Sequence, residues 1–327
     1  MSNNFKNILN KIHLKDAFEL MSEIPDNSID LVLTDPPYFL DKLDNEWNHQ
    51  KISEEKDYCK VVTSLPPGMK FDREQGIKFY QWYLNVSQNI FRILKPGGFF
   101  FSFSSPRLYH RMASAIDDAG FLMRDTFLWI YSQNQPKAMS LHHFIDKSNK
   151  SEKEKNLLKQ QLNSWKTPQV KSCYEPIAVA QKPTEGTFLE NFEKYKVGLI
   201  NTQQSVGISK NMFPSNIMTT DLLFNEMDKY FFIPKPTKKE KGEFNTHKTV
   251  KPLKLCEHII SLVTYDENAI VFDPFAGSGT TLVAAKKLNR QFIGCDINEE
   301  YISIANKRLN LTNTSHPIME SITRLFE

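Results

Sequence analysis

Cysteine is scarce in this chain. The 327 residues hold four (Cys59, Cys173, Cys256 and Cys295), scattered and with no C-x-x-C pair. That argues against a disulfide framework; reduced thiols in a cytoplasmic protein are the expectation. An excess of charge of one sign is also missing. Lys plus Arg number 41 and Asp plus Glu 38, a net +3, so any basic surface must come from local clustering. No apolar run is long enough to span a bilayer, and the start, Met1-Ser-Asn-Asn-Phe-Lys6, lacks the apolar core and cleavage site of a secretory signal. No membrane partner is expected. Hydrophobic residues at 40% and charged residues at 24% are ordinary proportions, which excludes disordered and fibrous classes. The length suits one large α/β domain with an insertion, or two domains.

What is present is an alternation of short apolar runs and helical stripes. Ile29-Asp-Leu-Val-Leu-Thr34 reads as a strand that stops at Asp35-Pro36-Pro37, because two prolines cannot continue a ladder. A helix is expected before it, around Asp16 to Met21. Residues 39–75 are polar and punctuated by Pro66-Pro67-Gly68, the pattern of a lid or mobile loop. Ile77, Tyr80, Leu84, Phe91 and Leu94 recur at helical spacing, Lys95-Pro96-Gly97-Gly98 stops that helix, and Phe99 to Phe103 reads as a buried strand. A helix over 108–119 and a strand over 127–131 follow. This is the rhythm of a parallel sheet with helical crossovers. From about Gln135 the chain turns polar and lysine-rich, interrupted by an apolar strand at Ile177-Ala-Val-Ala180, and a second basic stretch runs from Lys235 to Lys254. The α/β rhythm returns with a helical face of Leu253, Cys256, Ile259, Ile260 and Val263, a strand over 269–272, a helix through Leu282 and Leu288, a strand over 291–295, and a last helix carrying Tyr301 and Leu309. The expected division is 1–134 and 247–327 as two parts of one catalytic domain, with 135–246 inserted and contributing at least one core strand near 176–181.

Two constellations carry chemistry. In the C-terminal block a strand ends in Asp273, a loop with Gly277 and Gly279 turns the chain, a helix begins near Thr280, and the next strand ends in Asp296. Glycine lets backbone amides approach a ligand, the helix N-terminus favours an electron-rich group, and an acid at the next strand tip accepts from ribose hydroxyls. That is a nucleoside-cofactor site by mechanism, although a tight structural turn also uses glycine. No Lys-Ser or Lys-Thr follows, so this is not a triphosphate loop. The second constellation, Thr34-Asp35-Pro36-Pro37-Tyr38, sets a carboxylate, a free backbone carbonyl and an aromatic face at one strand tip. Two acceptors match the two donors of an –NH2 group, and the ring suits stacking on a base swung out of a duplex. The alternative is a proline-stiffened strand end with a buried Tyr38.

Asp35-Pro-Pro-Tyr38 together with Asp273-Pro-Phe-Ala-Gly-Ser-Gly-Thr280 resembles the amino-methyltransferase family that modifies DNA with S-adenosylmethionine. Lys15-Asp16, Leu20 and Pro25 to Thr34 resemble the lead-in to its catalytic turn, and His247-Lys-Thr-Val-Lys-Pro-Leu253 the segment before its cofactor loop. The resemblance covers about two thirds of the chain, leaving out the insertion and the loop after Tyr38. Catalytic turn first and glycine loop last is the order of the β group. The implied fold is a doubly wound, seven-stranded, mostly parallel sheet, a permuted Rossmann-like methyltransferase fold, with an inserted target-recognition region.

The resemblance implies the remaining roles. Asp35 and the Pro36 carbonyl would hold the target amine, Pro37 would stiffen the turn, and Tyr38 would stack on the flipped base. Asp273, Phe275, Ala276, Gly277, Gly279 and Thr280 would form the cofactor loop, Asp296 would take the ribose hydroxyls, and Asp16 and Asp35 would border the cofactor. Lys251 and Pro252 would lie beside its methionine part. For Lys251 a solvated lysine, and for Asp16 a helix cap, remain open readings. No metal is implied, and His142-His143 has no third ligand at recognisable spacing. Asp at the first position of the turn goes mostly with adenine in this family, so adenine-N6 transfer is expected ahead of cytosine-N4. The insertion's lysines suit phosphate contacts, and Asn149, Gln160, Gln161, Asn163 and Gln169 base edges, though a solvated lysine face reads the same way. Trp47 is an apolar plug over the base or local packing. Double-stranded DNA is the implied partner, with a homodimer and a cognate restriction endonuclease as further ones. An RNA or protein-glutamine methyltransferase, usually with the blocks in the opposite order, and a non-catalytic DNA-binding subunit are the competing readings.

Overall fold

All six residues of Ile29–Thr34 are buried, so this strand needs a layer on each side. The computed structural model describes residues 3–38, 73–131, 138–168, 170–202, 214–219, 231–232 and 250–312. The expected loop up to residue 72, Trp47, Gln169, and the basic stretch from 235 to 249 lie outside them. The elements in chain order are α1 (Asn3–Ile8), β1 (Lys11–Leu14), α2 (Ala17–Glu23), β2 (Ile29–Thr34), α3 (Arg73–Ile93), β3 (Leu94–Phe103), α4 (Tyr109–Asp118), β4 (Leu122–Ile130), α5 (His142–Asp146), α6 (Glu152–Gln161), β5 (Tyr174–Gln181), α7 (Phe188–Tyr195), β6 (Ile217–Thr219), β7 (Phe231–Phe232), α8 (Leu253–Val263), β8 (Ile270–Asp273), α9 (Thr280–Lys287), β9 (Gln291–Asp296) and α10 (Glu299–Leu311).

The strands form one sheet in the order β1-β9-β8-β2-β3-β5-β4-β6-β7. The expected count of seven is corrected to nine among the described residues. Seven make the body, and the short β6 and β7 extend the β4 edge, parallel to it. β5 is antiparallel to both neighbours while every other pairing is parallel. Alternation along the strands sends Leu31, Leu33, Phe99, Phe101 and Phe103 to one face, against Leu255 and Ile259 of α8, Leu282 of α9 and Leu309 of α10. Val32 and Phe100 point to the other face, against Leu20 of α2, Tyr83 and Ile90 of α3 and Met112 of α4. This is the expected doubly wound layout.

Local departures have local causes. β3 starts at Leu94, earlier than the Phe99 expected: Ile29 pairs with Leu94 and Leu31 with Phe99, so Lys95–Gly98 is a bulge within the strand. Gly97 takes φ 79° there, and its amide reaches Lys182 O at 3.0 Å. β1, a four-residue edge strand, escapes detection by pattern because four residues carry too little periodicity. The segment read as insertion supplies β5 to the interior of the sheet and forms α6 and α7, both opened by capping boxes (Ser151 with Glu154, Thr187 with Glu190).

Candidate active site

β2 and β8 lie side by side, and the helices that follow them leave on opposite faces, which opens a crevice at their carboxyl ends. Thr34 and Asp273, 239 positions apart in sequence, meet there: the Thr34 hydroxyl donates to Asp273 Oδ1 at 2.7 Å. The same Asp273 oxygen accepts from the Phe275 amide at 3.1 Å, which starts the glycine turn. Gly277 (φ 50°) follows, its amide donating to Asp296 Oδ2 at 2.9 Å. Gly279 (φ 78°) caps α9, with an added Cβ only 2.8 Å from Ala305 Cβ of α10. Burial drives the Asp273 carboxyl up to about 7 against its hydrogen bonds from Thr34, Thr281 and Phe275. Arg308 of α10 is buried behind the turn and donates to Ser278 O at 2.7 Å, Ser278 Oγ at 3.1 Å and Thr280 Oγ1 at 3.0 Å, pinning it to the helix.

At the proline turn, Pro36 is buried while Pro37 and Tyr38 are half-buried. The Tyr38 hydroxyl donates to Asp35 Oδ1 at 2.5 Å. Burial, then the neighbouring Asp35 and Glu175 carboxylates, hold that phenol well above its ordinary range, so it stays a donor. Lys251 Nζ lies 2.6 Å from Asp35 Oδ2 and 2.9 Å from Glu175 Oε2, with the Phe103 ring centroid at 4.9 Å. Burial would lower this ammonium, but the two carboxylates outweigh it and hold it above the ordinary lysine range.

Both turns open on one cavity of about 470 Å3, a size that encloses a nucleoside-like ligand. Asp16, Asp35, Pro36, Pro37, Tyr38, Lys251, Asp273, Phe275, Ala276, Gly277, Thr280 and Asp296 line it. Asp16 is also the cap of α2, accepting from Phe18 N at 2.8 Å. Pro252 and Gly279 are not in the lining; Pro252 caps α8 and Gly279 packs under α10. Residues that pattern reading did not single out complete the walls. Trp82 of α3 sits against Phe275 with ring centroids 5.5 Å apart, and Tyr301, Phe103 and Glu175 also face the space. The Tyr174-Glu175-Pro176 acid before an apolar strand was the only available signal for Glu175. His142 and His143 gain no companions: among the described residues no three His, Cys, Asp or Glu are grouped to hold a metal.

A doubly wound sheet with a glycine turn and an acid at adjacent strand tips, opposite a carboxylate-proline-tyrosine turn, defines a nucleoside-cofactor enzyme with a second subsite. The chain belongs to the N6/N4 DNA methylase family, whose profile, described as DNA methylase, matches residues 29–307. It is an S-adenosylmethionine-dependent DNA amino-methyltransferase. Among relatives it is 28% identical to the type II methyltransferase M.HindIII of Haemophilus influenzae, over 92% of this chain and 95% of that one. It is also 28% identical to M.BglII of Bacillus subtilis, over 93% and 70%. The fold is shared with the M1.HpyAVI–SAM complex (TM-score 0.51, 22% identity, 92% and 99% covered). It is shared too with the PvuII cytosine-N4-specific DNA methyltransferase (TM-score 0.54, 20% identity, 96% and 90% covered). The cavity suits the cofactor by donor chemistry: an acid at the β9 tip for hydroxyls, a glycine turn with Gly277 in the lining, and the Trp82–Phe275 aromatic wall for a flat ring. No helix among the described residues is long and apolar enough to cross a membrane.

Proposed function

We propose that the chain methylates N6 of adenine at a specific site in double-stranded DNA, as the modifying half of a restriction–modification system. The observation that carries this reading is Asp35, at the first position of its turn, facing the cavity shared with the glycine turn. Aspartate there goes mostly with adenine in this family. The type II methyltransferase names of the relatives support the restriction–modification role and a cognate endonuclease. A second reading, cytosine-N4 transfer, is favoured by the cytosine-N4-specific structural neighbour.

The chemistry follows from the donor and acceptor inventory. The base swings out of the duplex, since its amine is unreachable inside. Asp35 and the Pro36 carbonyl accept its two N–H bonds, which favours the pyramidal, positively charged nitrogen of the transition state. Tyr38 leaves Asp35 Oδ1 and stacks on the base. S-adenosylmethionine would supply the methyl group there, and Asp296, Gly277 and Phe275, which line the cavity, would hold it. The methylated nitrogen is acidic, so Asp35 needs little basicity to take its proton. We assign 135–246 to target recognition, supported by its lysines, and expect a homodimer, which sedimentation of the purified protein checks.

The test is transfer from labelled S-adenosylmethionine to unmethylated bacterial DNA, with nucleoside analysis of the digest and Asp35→Ala beside the native protein. Label in N6-methyladenine, reduced by about 1000-fold in the variant, is the expected result. Label in N4-methylcytosine selects the second reading. No label in any DNA, with cofactor binding intact, refutes both.

A further inference from the structure

Asp35, Lys251 and Glu175 form a row across the base side of the cavity: carboxylate, ammonium, carboxylate, with spacings of 2.6 and 2.9 Å. Hydrogen-bonding character along the row is acceptor, donor, acceptor. All three side chains line the cavity, and Lys251 is only 10% exposed. Glu175 Oε2 pairs with the Lys251 ammonium at 2.9 Å. A carboxylate has about four acceptor sites, so Glu175 keeps acceptor capacity toward the cavity it lines.

We propose that this row reads the pairing edge of the flipped base, presenting the same acceptor–donor–acceptor face that thymine shows to adenine. The inference rests on the adenine reading above and adds what enforces it. Adenine offers an amine donor, the ring acceptor N1 and a C2–H, which meet Asp35, Lys251 and Glu175 in turn. Cytosine matches the first two partners but turns its O2 lone pairs on the Glu175 carboxylate, an acceptor against an acceptor. Guanine and thymine fail at the first position, where each carries a carbonyl oxygen facing Asp35. Two half-buried acceptors left unpaired or opposed discriminate more strongly than shape alone.

Glu175 has a second effect. With two carboxylates to one ammonium, the row keeps a net negative charge beside the nitrogen that becomes positive. Without Glu175, Lys251 neutralises Asp35, and that electrostatic help is lost. Lys251 and Glu175 are thus specificity-determining residues, one on the segment before α8 and one at the start of β5.

The experiment uses duplexes carrying the site mapped by sequencing the methylated DNA, with the target base opposite an abasic position so that pair breaking is equal throughout. Native protein is offered adenine, 1-deazaadenine, 2,6-diaminopurine and cytosine, and binding and transfer are measured. Loss of N1 weakens binding by roughly 10-fold, the value of one hydrogen bond to a charged group. The added 2-amino donor of diaminopurine meets Glu175 and binds several-fold tighter than adenine, a gain absent in Glu175→Gln. The same variant, whose amide can donate to O2, shifts the cytosine-to-adenine transfer ratio toward cytosine by about 10-fold. Adenine methylation in which the three purines bind alike overturns the row while leaving the adenine reading intact, and needs no variant to fold. Cytosine as the preferred native target overturns both together.

Discussion

At the residue scale, the two turns carry different kinds of necessity. Asp35 has its oxygens shared between Tyr38 and Lys251, so both its contacts are polar and lie at the cavity it lines. Gly279 serves the backbone: φ 78° and a Cβ that would meet Ala305 Cβ at 2.8 Å leave no room for a larger residue. Gly279→Ala is expected to destabilise the protein by about 2 kcal/mol, combining left-handed strain with overpacking. Chemical denaturation checks it; an unchanged midpoint refutes the packing argument. Asp35, Pro36 and Asp296 were legible in sequence because each sits beside its own punctuation, a double proline or a strand ending. Glu175 was not, because an acid at the start of a strand ordinarily lies at the end of a parallel sheet away from the ligand.

At the element scale, the reversal of β5 is what brings Glu175 to the site. Antiparallel between β3 and β4, it pairs Ile177 with Phe103 and Glu175 with Trp129, so its first residues lie at the carboxyl ends of the parallel strands. Four apolar residues in sequence cannot reveal that direction; only the pairing decides it. α10 shows the same dependence. Arg308 looks like one more helix-end cation, yet it reaches back to Ser278 and Thr280 and fixes the turn. Arg308→Met removes those bonds while keeping much of the volume. Cofactor affinity by calorimetry should fall roughly 10-fold, with the fold retained by circular dichroism. Affinity equal to the native protein's would mean the turn holds its shape without α10.

At the scale of the whole molecule, burying titratable groups within the two layers sets a pH dependence that no composition shows. Burial pushes the His258 imidazole down to about 4. The unfolded chain takes up that proton first, so this contribution to stability is lost as pH falls from about 6.5 toward 4. Asp273 works in the opposite sense. Its folded carboxyl holds a proton up to about 7, whereas the unfolded chain has released it by then, so stability falls as pH rises between about 4 and 7. Each slope reaches about 1.4 kcal/mol per pH unit at most. They oppose one another over the shared window, and the unliganded protein should show a shallow melting profile there. Thermal unfolding of His258→Phe between pH 4.5 and 7 should instead show stability rising toward acid, relative to the native protein. Parallel curves for the two proteins would dismiss this role for His258.

The chain by itself determined the alternation that yields a doubly wound sheet, the two strand-tip turns and the family they belong to. These are written in short-range chemistry, as proline stops, glycine turns and periodic apolar faces. Tertiary structure decided which distant residues share the cavity: Thr34 on Asp273, Trp82 against Phe275, Lys251 between Asp35 and Glu175, Arg308 behind the glycine turn. It decided also the nine-strand extent of the sheet and the reversed β5. The physical reason is that these meetings depend on strand direction and order, which arise from packing two apolar faces at once and leave no local periodicity to read.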